Sequence, residues 1–141
     1  MRSIDTGEND HMNSEFNNVL ETICERDTRY KMDAYEFVME SLNFTQKKFQ
    51  RSKHVSGQEL LDGMKELLMQ KFGPLAMTVL EHWGIRSTED FGNLVFNLVE
   101  NRVLSKTEED SLENFRNVYS FEEVFNHGYR KELEKKISRL K

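Results

Sequence analysis

Residues 56–104 constrain the fold of this chain most, because two sets of helix-breaking residues divide a strongly apolar stretch into three segments. The first break is Gly73-Pro74, since glycine commonly follows a helix and proline fits the first position of the next one. The second break is the turn at residues 84–87. Within the segments, apolar side chains recur at steps of three and four residues, the spacing of one helical face. The stretch therefore predicts three packed helices, with the middle one buried on most sides.

Two of these helices also carry start signals. Ser56 stands three residues before Glu59, and Ser87 stands three residues before Asp90. At this spacing the hydroxyl can accept the backbone N–H of the third helical residue while the acid reaches back to the cap, which is the capping-box arrangement. The third helix then places its apolar residues on an inward face.

The remainder of the chain also reads as mainly α, because leucine, methionine, glutamate and lysine are common and proline occurs once. Helices are expected from Ser14 to near Asp27, from about Asp33 to Ser52, and from Ser120 onward. Residues 103–105 and 117–120 could pair as a small β-hairpin, with residues 106–116 between them as a loop, wing or short helix. We therefore predict a compact helical domain of five to six helices, with a hairpin that would give it a winged-helix-like outline.

The length of 141 residues is that of one domain. Residues 1–12 have no periodic apolar pattern and precede a second methionine, so we interpret them as a disordered tail or a cloning leader. Residues 13–127 form the predicted helical domain, and residues 128–141 a basic C-terminal helical extension. With no apolar run long enough for a membrane span and no signal core, we expect a cytoplasmic protein without a membrane partner.

Signals for catalysis or metal binding are weak in this sequence. The single cysteine, Cys24, lies beside apolar residues and is interpreted as a structural thiol. His82 lies between Glu81 and Trp83, but adjacent helical positions point about 100° apart, so Glu81 cannot orient its neighbour. The four histidines are widely scattered, and the common catalytic and phosphate-binding motifs are missing. We predict no catalytic, cofactor-binding or metal-binding residues, and hence a protein that is not an enzyme.

An acidic region is the favoured contact surface. Residues 87–114 contain seven acids against two cations, within a chain of net charge −5. This charge would repel nucleic acid at the expected third helix and hairpin. The sequence therefore favours a protein-interaction or adaptor module with an unknown protein partner and an unknown oligomeric state. The candidate contacts are Glu89, Asp90, Glu108, Glu109 and Asp110.

The alternative is a nucleic-acid-binding, winged-helix-like domain that uses the basic patch at residues 47–54. Its candidate contacts are Lys47, Lys48, Arg51 and Lys53. Clustered cations can contact phosphates, but the end of a helix favours cations in any case because of its dipole. Nucleic acid is therefore the less favoured partner.

Three specific stretches, HVSG, FGPLAMTVLEHWGI and EDFGNLVFNLVE, lie within residues 54–125, and ICERDTRYKMDAYEFVMESLNFT precedes them. On these stretches the chain resembles a small uncharacterised family found mainly in planctomycetes and verrucomicrobia. The resemblance covers nearly everything between residues 16 and 125 and implies a stand-alone bacterial domain. It brings no activity, ligand or catalytic residue, and the basic tail lies outside it.

Overall fold

The computed structural model describes the backbone of residues 1–3 and 10–140, and the side chains of these residues except 10–13, 127–129, 132 and 140. Within them the chain is mainly helical, as the sequence predicted. The α-helices are α1 (Asp10–Arg26), α2 (Met32–Lys48), α3 (Gly57–Phe72), α4 (Ala76–Trp83), α5 (Thr88–Glu100) and α6 (Gly128–Leu140). Two short strands, β1 (Arg2–Ser3) and β2 (Leu104–Ser105), form an antiparallel sheet. Two 3-10 turns cover Gly73–Leu75 and Leu112–Phe115, and a π-helical turn covers Glu122–His127.

The pair α2 and α3 forms the centre of the domain, and contacts at three levels show that the helices run antiparallel. Lys48 bridges to Asp62 at 3.0 Å near the end of α2, whereas Glu40, about two turns earlier, pairs with Lys71 near the end of α3. Between these levels Thr45 packs directly against Gly63. The predicted capping box at the start of α3 is confirmed: Glu59 N–H donates to Ser56 Oγ at 3.0 Å, and Ser56 N–H to Glu59 Oε1 at 2.9 Å.

The helix α4 is less buried than the sequence predicted. Only Ala76, Leu80 and Trp83 are buried along it, and Leu75 just before it is 61% exposed. Trp83 packs between Phe37 and Phe72, with ring centroids 5.3 and 5.7 Å away. The helix is eight residues long. It buries one face on the core, and the opposite face meets solvent.

The small sheet is present, but the predicted pairing of residues 103–105 with 117–120 is wrong. Strand β2 pairs instead with β1, in the register Arg2 opposite Ser105 and Ser3 opposite Leu104. Residues 117–120 are turn and irregular structure, in which the Tyr119 hydroxyl donates to the Leu61 carbonyl of α3 at 2.7 Å. The hairpin of a winged helix is therefore not formed in this part of the chain.

Residues 1–3 pack against the domain and belong to the stretch 1–12 that the sequence predicts as a disordered tail or cloning leader. Met1 is buried and exchanges two backbone hydrogen bonds with Val55, one from its amine at 2.8 Å and one to its carbonyl at 3.1 Å. Residues 4–9 lie outside the described residues. Helix α1 begins at Asp10 rather than at Ser14, whereas α6 coincides with the predicted basic extension. Of the helices described, none has the length and apolar character needed to cross a membrane.

Candidate protein-interaction surface

The segment at residues 106–118, which includes the residues 106–116 predicted as a loop, wing or helix, is a loop with one 3-10 turn that is anchored by Phe115. Phe115 is fully buried, and its ring meets that of Phe96 edge to face at 6.3 Å. At the start of the 3-10 turn, Ser111 N–H donates to Asn114 Oδ1 at 2.7 Å, so the turn carries its own cap. The segment is thus fixed to the domain through a large aromatic anchor rather than through sheet hydrogen bonds.

Gly92 allows the segment to lie directly on α5. A Cβ atom at Gly92 would come within 2.8 Å of Phe115 Cβ and 3.0 Å of Leu112 Cδ1. Contacts below 3.0 Å require something to move, and the buried Phe115 has little space to do so. Glycine at this helical position therefore permits the close approach that places Leu112 against α5.

Both flanks of the segment are also held by hydrogen bonds. Before the 3-10 turn, Asp110 is buried and accepts the N–H of Thr107 at 2.8 Å, and its Oδ2 lies 3.3 Å from the Met1 amine. Burial raises the pKa of Asp110, but the Thr107 hydrogen bond and the Met1 ammonium outweigh it, so the pKa lies below its ordinary value. After the turn, Val118 N–H donates to the buried Thr88 Oγ1 at 3.1 Å. The segment is therefore attached to Met1, next to β1, on one side and to α5 on the other.

Two apolar side chains remain exposed on this anchored segment. Leu112 is 38% exposed and Val118 is 40% exposed. Leu112 packs at Gly92, and the backbone N–H of Val118 binds Thr88, one helical turn earlier on the same face of α5. The structure thus presents two exposed apolar side chains on one anchored segment, which the sequence did not predict because neither residue belongs to a periodic pattern.

Exposed charges lie on the same segment. Glu108 and Glu109 are exposed on the turn before Leu112, and the exposed Glu113 follows Leu112 directly. Arg116 bridges Glu113 at 2.9 Å and lies 3.7 Å from Glu89 of α5, so these charges partly neutralise one another. We use the name apolar–acidic surface for Leu112 and Val118 together with Glu89, Glu108, Glu109, Glu113 and Arg116.

The five predicted contact acids divide into two groups. Glu89, Glu108 and Glu109 belong to the apolar–acidic surface, but Asp90 and Asp110 have internal partners. Asp90 Oδ2 accepts the N–H groups of Arg86 and Ser87 at 2.8 and 3.2 Å, as expected for the acid that caps α5. Its Oδ1 accepts a short hydrogen bond from the Tyr30 hydroxyl. Sequence alone could not separate the two groups, because the partners Tyr30 and Met1 are distant along the chain.

Tyr30 and Asp90 belong to a polar network that fastens the α1–α2 connection to α5. The Tyr30 hydroxyl also accepts a hydrogen bond from Asn93 Nδ2 at 3.0 Å. Burial is the main cause of the raised pKa of Tyr30. One turn further along α5, Asn97 Nδ2 donates to Tyr35 Oη at 3.0 Å. A cleft of about 630 Å³ lies beside this network, and its charged lining consists of two guanidinium and two carboxylate groups. Those opposite charges give the cleft no clear preference for an anion or a cation.

Two of the four cations in the predicted basic patch form ion pairs. Lys48 bridges Asp62 at 3.0 Å and Glu66 at 2.6 Å, and the bond to Glu66 is the first cause of its raised pKa. Arg51 bridges Glu59 at 3.1 Å, the same acid that caps α3. The side chains of Lys47 and Lys53 are exposed. The structure therefore brings the four cations to one end of α2, but two of them already face carboxylates.

Other reactive side chains are dispersed. Cys24 is half-buried rather than fully buried, its Sγ lies 3.8 Å from the Tyr30 carbonyl oxygen, and burial raises the pKa of the thiol. His54 and His82 are both exposed, and the side chains of the other two histidines lie outside the described set. Among the residues that the structure describes, no three histidine, cysteine or acidic side chains converge as metal ligands would.

Comparison with protein-family models, with curated proteins and with solved structures gives no match to this chain. The family resemblance drawn from the sequence stays a prediction.

Proposed function

We propose that this protein is a non-enzymatic protein-interaction module that binds its partner through the apolar–acidic surface. The observation that carries the proposal is the presence of two exposed apolar side chains, Leu112 and Val118, on one anchored segment that also carries exposed carboxylates. Protein interfaces commonly combine a small apolar centre with a polar rim, and the centre supplies most of the binding energy.

The attachment of the surface supports the same proposal. Phe115, Asp110 and Thr88 hold the segment in place, so little conformational entropy is lost when a partner binds. A preformed loop on a rigid scaffold is also a frequent location for binding residues. The chemistry of the surface indicates a partner that offers apolar side chains flanked by lysine or arginine, because such a partner complements both the centre and the rim.

The nucleic-acid alternative has weaker support. It needs phosphate contacts from the basic patch, but Lys48 and Arg51 would first have to release Asp62, Glu66 and Glu59. The remaining exposed pair, Lys47 and Lys53, offers about two phosphate contacts, which is few for binding at physiological salt. The net charge of −5 opposes approach of a polyanion as well.

The test is affinity capture from the native cell lysate with three forms of the protein. They are the wild type, the double variant Leu112→Ser/Val118→Ser, and the matched control Leu75→Ser, which changes an exposed leucine elsewhere. We expect proteins that the wild type and Leu75→Ser retain equally and that the double variant loses. Circular dichroism of each form verifies that the fold is kept.

A parallel capture with nuclease separates the two functions. Protein partners of the apolar–acidic surface should persist after nuclease treatment. Retention that disappears with nuclease, and that also disappears when Lys47, Lys48, Arg51 and Lys53 are all replaced by glutamine, would refute the proposal in favour of nucleic-acid binding. Equal capture by the double variant and the wild type would refute the assigned surface.

A further inference from the structure

Helix α6 carries an apolar stripe that its own domain does not cover. The helix continues directly from the π-helical turn Glu122–His127, and the buried residues Phe121, just before the turn, and Phe125, within it, fix its base to the core. Beyond that base, every described side chain from residue 130 to residue 139 is exposed. Leu133 and Ile137 are 44% and 48% exposed, and their spacing of four places them on one face.

Cations border this stripe. Arg130 and Lys136, three residues before and after Leu133, are exposed beside it. Residues 130–141 contain six cations and two acids, a net charge of +4. Because the whole chain has a net charge of −5, the remaining residues carry −9. A basic helix thus extends from a strongly acidic domain.

We infer that α6 of one molecule binds the apolar–acidic surface of a second molecule, and that the second α6 binds back in the same way. This inference rests on the proposed function of that surface and names its partner. Leu133 and Ile137 would cover Leu112 and Val118, while the bordering cations face the exposed carboxylates. An amphipathic helix in an apolar groove with charged edges is a recurrent mode of protein recognition.

Charge favours a second copy over the other partners that a basic amphipathic helix could bind. Pairing of α6 with the α6 of another copy would bring two C-terminal segments together, each with a net charge of +4 over residues 130–141, which is unfavourable. An anionic membrane or a nucleic acid would attract α6 but would repel the acidic domain attached to it. A second copy offers the opposite charge to both parts, because each molecule supplies one basic helix and one acidic surface.

The dimensions also suit a reciprocal exchange. A helix of 13 residues is roughly 20 Å long at about 1.5 Å per residue. One such contact is small compared with stable interfaces, which bury about 1,200 to 2,000 Å² in total. Two equivalent contacts related by a twofold axis double the buried area, and closed twofold dimers are the commonest protein assembly.

The first measurement is the molar mass of the full chain by sedimentation or light scattering at low and high salt. We expect a dimer of the 16.8 kDa chain at low salt that dissociates progressively as salt screens the attraction. The variant Leu133→Ser/Ile137→Ser should weaken dimerisation by about tenfold or more, because central apolar anchors dominate interface energy. The control Leu75→Ser should dimerise like the wild type.

A mixing experiment tests the reciprocal arrangement. The surface variant Leu112→Ser/Val118→Ser keeps an intact helix, and the helix variant Leu133→Ser/Ile137→Ser keeps an intact surface. Each should be monomeric alone, but a mixture should form a weak one-to-one complex through its single remaining contact. If the surface variant does not fold, Glu108→Lys/Glu109→Lys takes its place, and the helix partner becomes Arg130→Glu/Lys136→Glu.

Three results would overturn the inference: a wild type that is monomeric at every salt concentration, helix variants that dimerise as the wild type does, or a mixture that does not associate. Failure here is distinguishable from failure of the proposed function. A monomeric wild type that still captures proteins through Leu112 and Val118 would remove only the second copy as the partner. Capture that is insensitive to those two residues would remove the proposed surface itself.

Discussion

Replacing Gly63 with alanine tests the closest approach between α2 and α3. A methyl group at Gly63 would lie 1.9 Å from Thr45 Oγ1 and 3.0 Å from Thr45 Cβ, and Thr45 is fully buried. The hydroxyl cannot turn away freely, because it donates to the Ser41 carbonyl at 2.7 Å. The substitution must therefore break a buried hydrogen bond, push the two helices apart, or do both.

The expected magnitude follows from opposing contributions. In an unobstructed helix, alanine in place of glycine gains about 1 kcal/mol. Against this gain, overpacking a core costs about 1 to 3 kcal/mol. Leaving a buried hydroxyl unpaired costs about 1 to 3 kcal/mol more. We expect Gly63→Ala to lower the free energy of unfolding by roughly 1 to 5 kcal/mol, although helix propensity alone predicts an increase.

The assay is urea denaturation, followed by the fluorescence of the single tryptophan, Trp83. A double-mutant cycle with Thr45→Ala isolates the contact, because that change removes the Oγ1 atom that the new methyl group meets. The loss caused by Gly63→Ala should be smaller in the Thr45→Ala background by about 1 to 3 kcal/mol. A Gly63→Ala protein at least as stable as the wild type, or the same loss in both backgrounds, would refute this description of the helix contact.

Three further predictions concern the core, pH and the basic patch. Trp83→Ala should lower the free energy of unfolding by about 3 to 5 kcal/mol, since Trp83 is only 8% exposed, and an unchanged melting temperature would contradict this. Because the folded-state pKa of Asp110 is below its ordinary value, its contribution to stability is present above about pH 4 and lost as pH falls through the folded pKa. Urea midpoints measured across the acid range should thus depend less on pH in Asp110→Asn, and an identical dependence would count against the Met1 contact. The third change replaces all four basic-patch residues, Lys47, Lys48, Arg51 and Lys53, with glutamine. It should lower the free energy of unfolding by under about 1 kcal/mol for each exposed ion pair, and titrations of labelled duplex DNA should show no specific binding. Tight DNA binding by the wild type that this change abolishes would favour the nucleic-acid function.

The local signals in the sequence were sufficient for most helices. The capping pair of Ser56 and Glu59 starts α3, and the pair of Ser87 and Asp90 starts α5, because these contacts join residues three apart. The breaks at Gly73-Pro74 and at the turn after Trp83 end helices for similarly local reasons. The mainly helical class could therefore be predicted from residue spacing and composition.

Exposure along a helix was predicted less well. The middle apolar segment was expected to be buried on most sides, but α4 buries Ala76, Leu80 and Trp83 and leaves Leu75 in solvent. Apolar composition states which residues can enter a core, but the number of neighbouring elements decides how many faces are covered. The exposure of Leu112 and Val118 could not be predicted for the same reason, because it depends on how Phe115 packs their segment beside Gly92.

Residue spacing and composition predict the helices, the acidic character of residues 87–114 and the basic character of the C-terminal end, because each depends on residues that are near one another in the chain. The pairing of β2 with β1, and the division between Asp90 and Asp110 with internal partners and the exposed Glu108 and Glu109, are visible only in the folded chain. These outcomes depend on contacts between distant residues, such as Tyr30 with Asp90 and Met1 with Asp110. The sequence around a carboxylate can be the same whether its hydrogen-bond partner is a buried hydroxyl or water. Its role is therefore set by the packing that brings the partner to it.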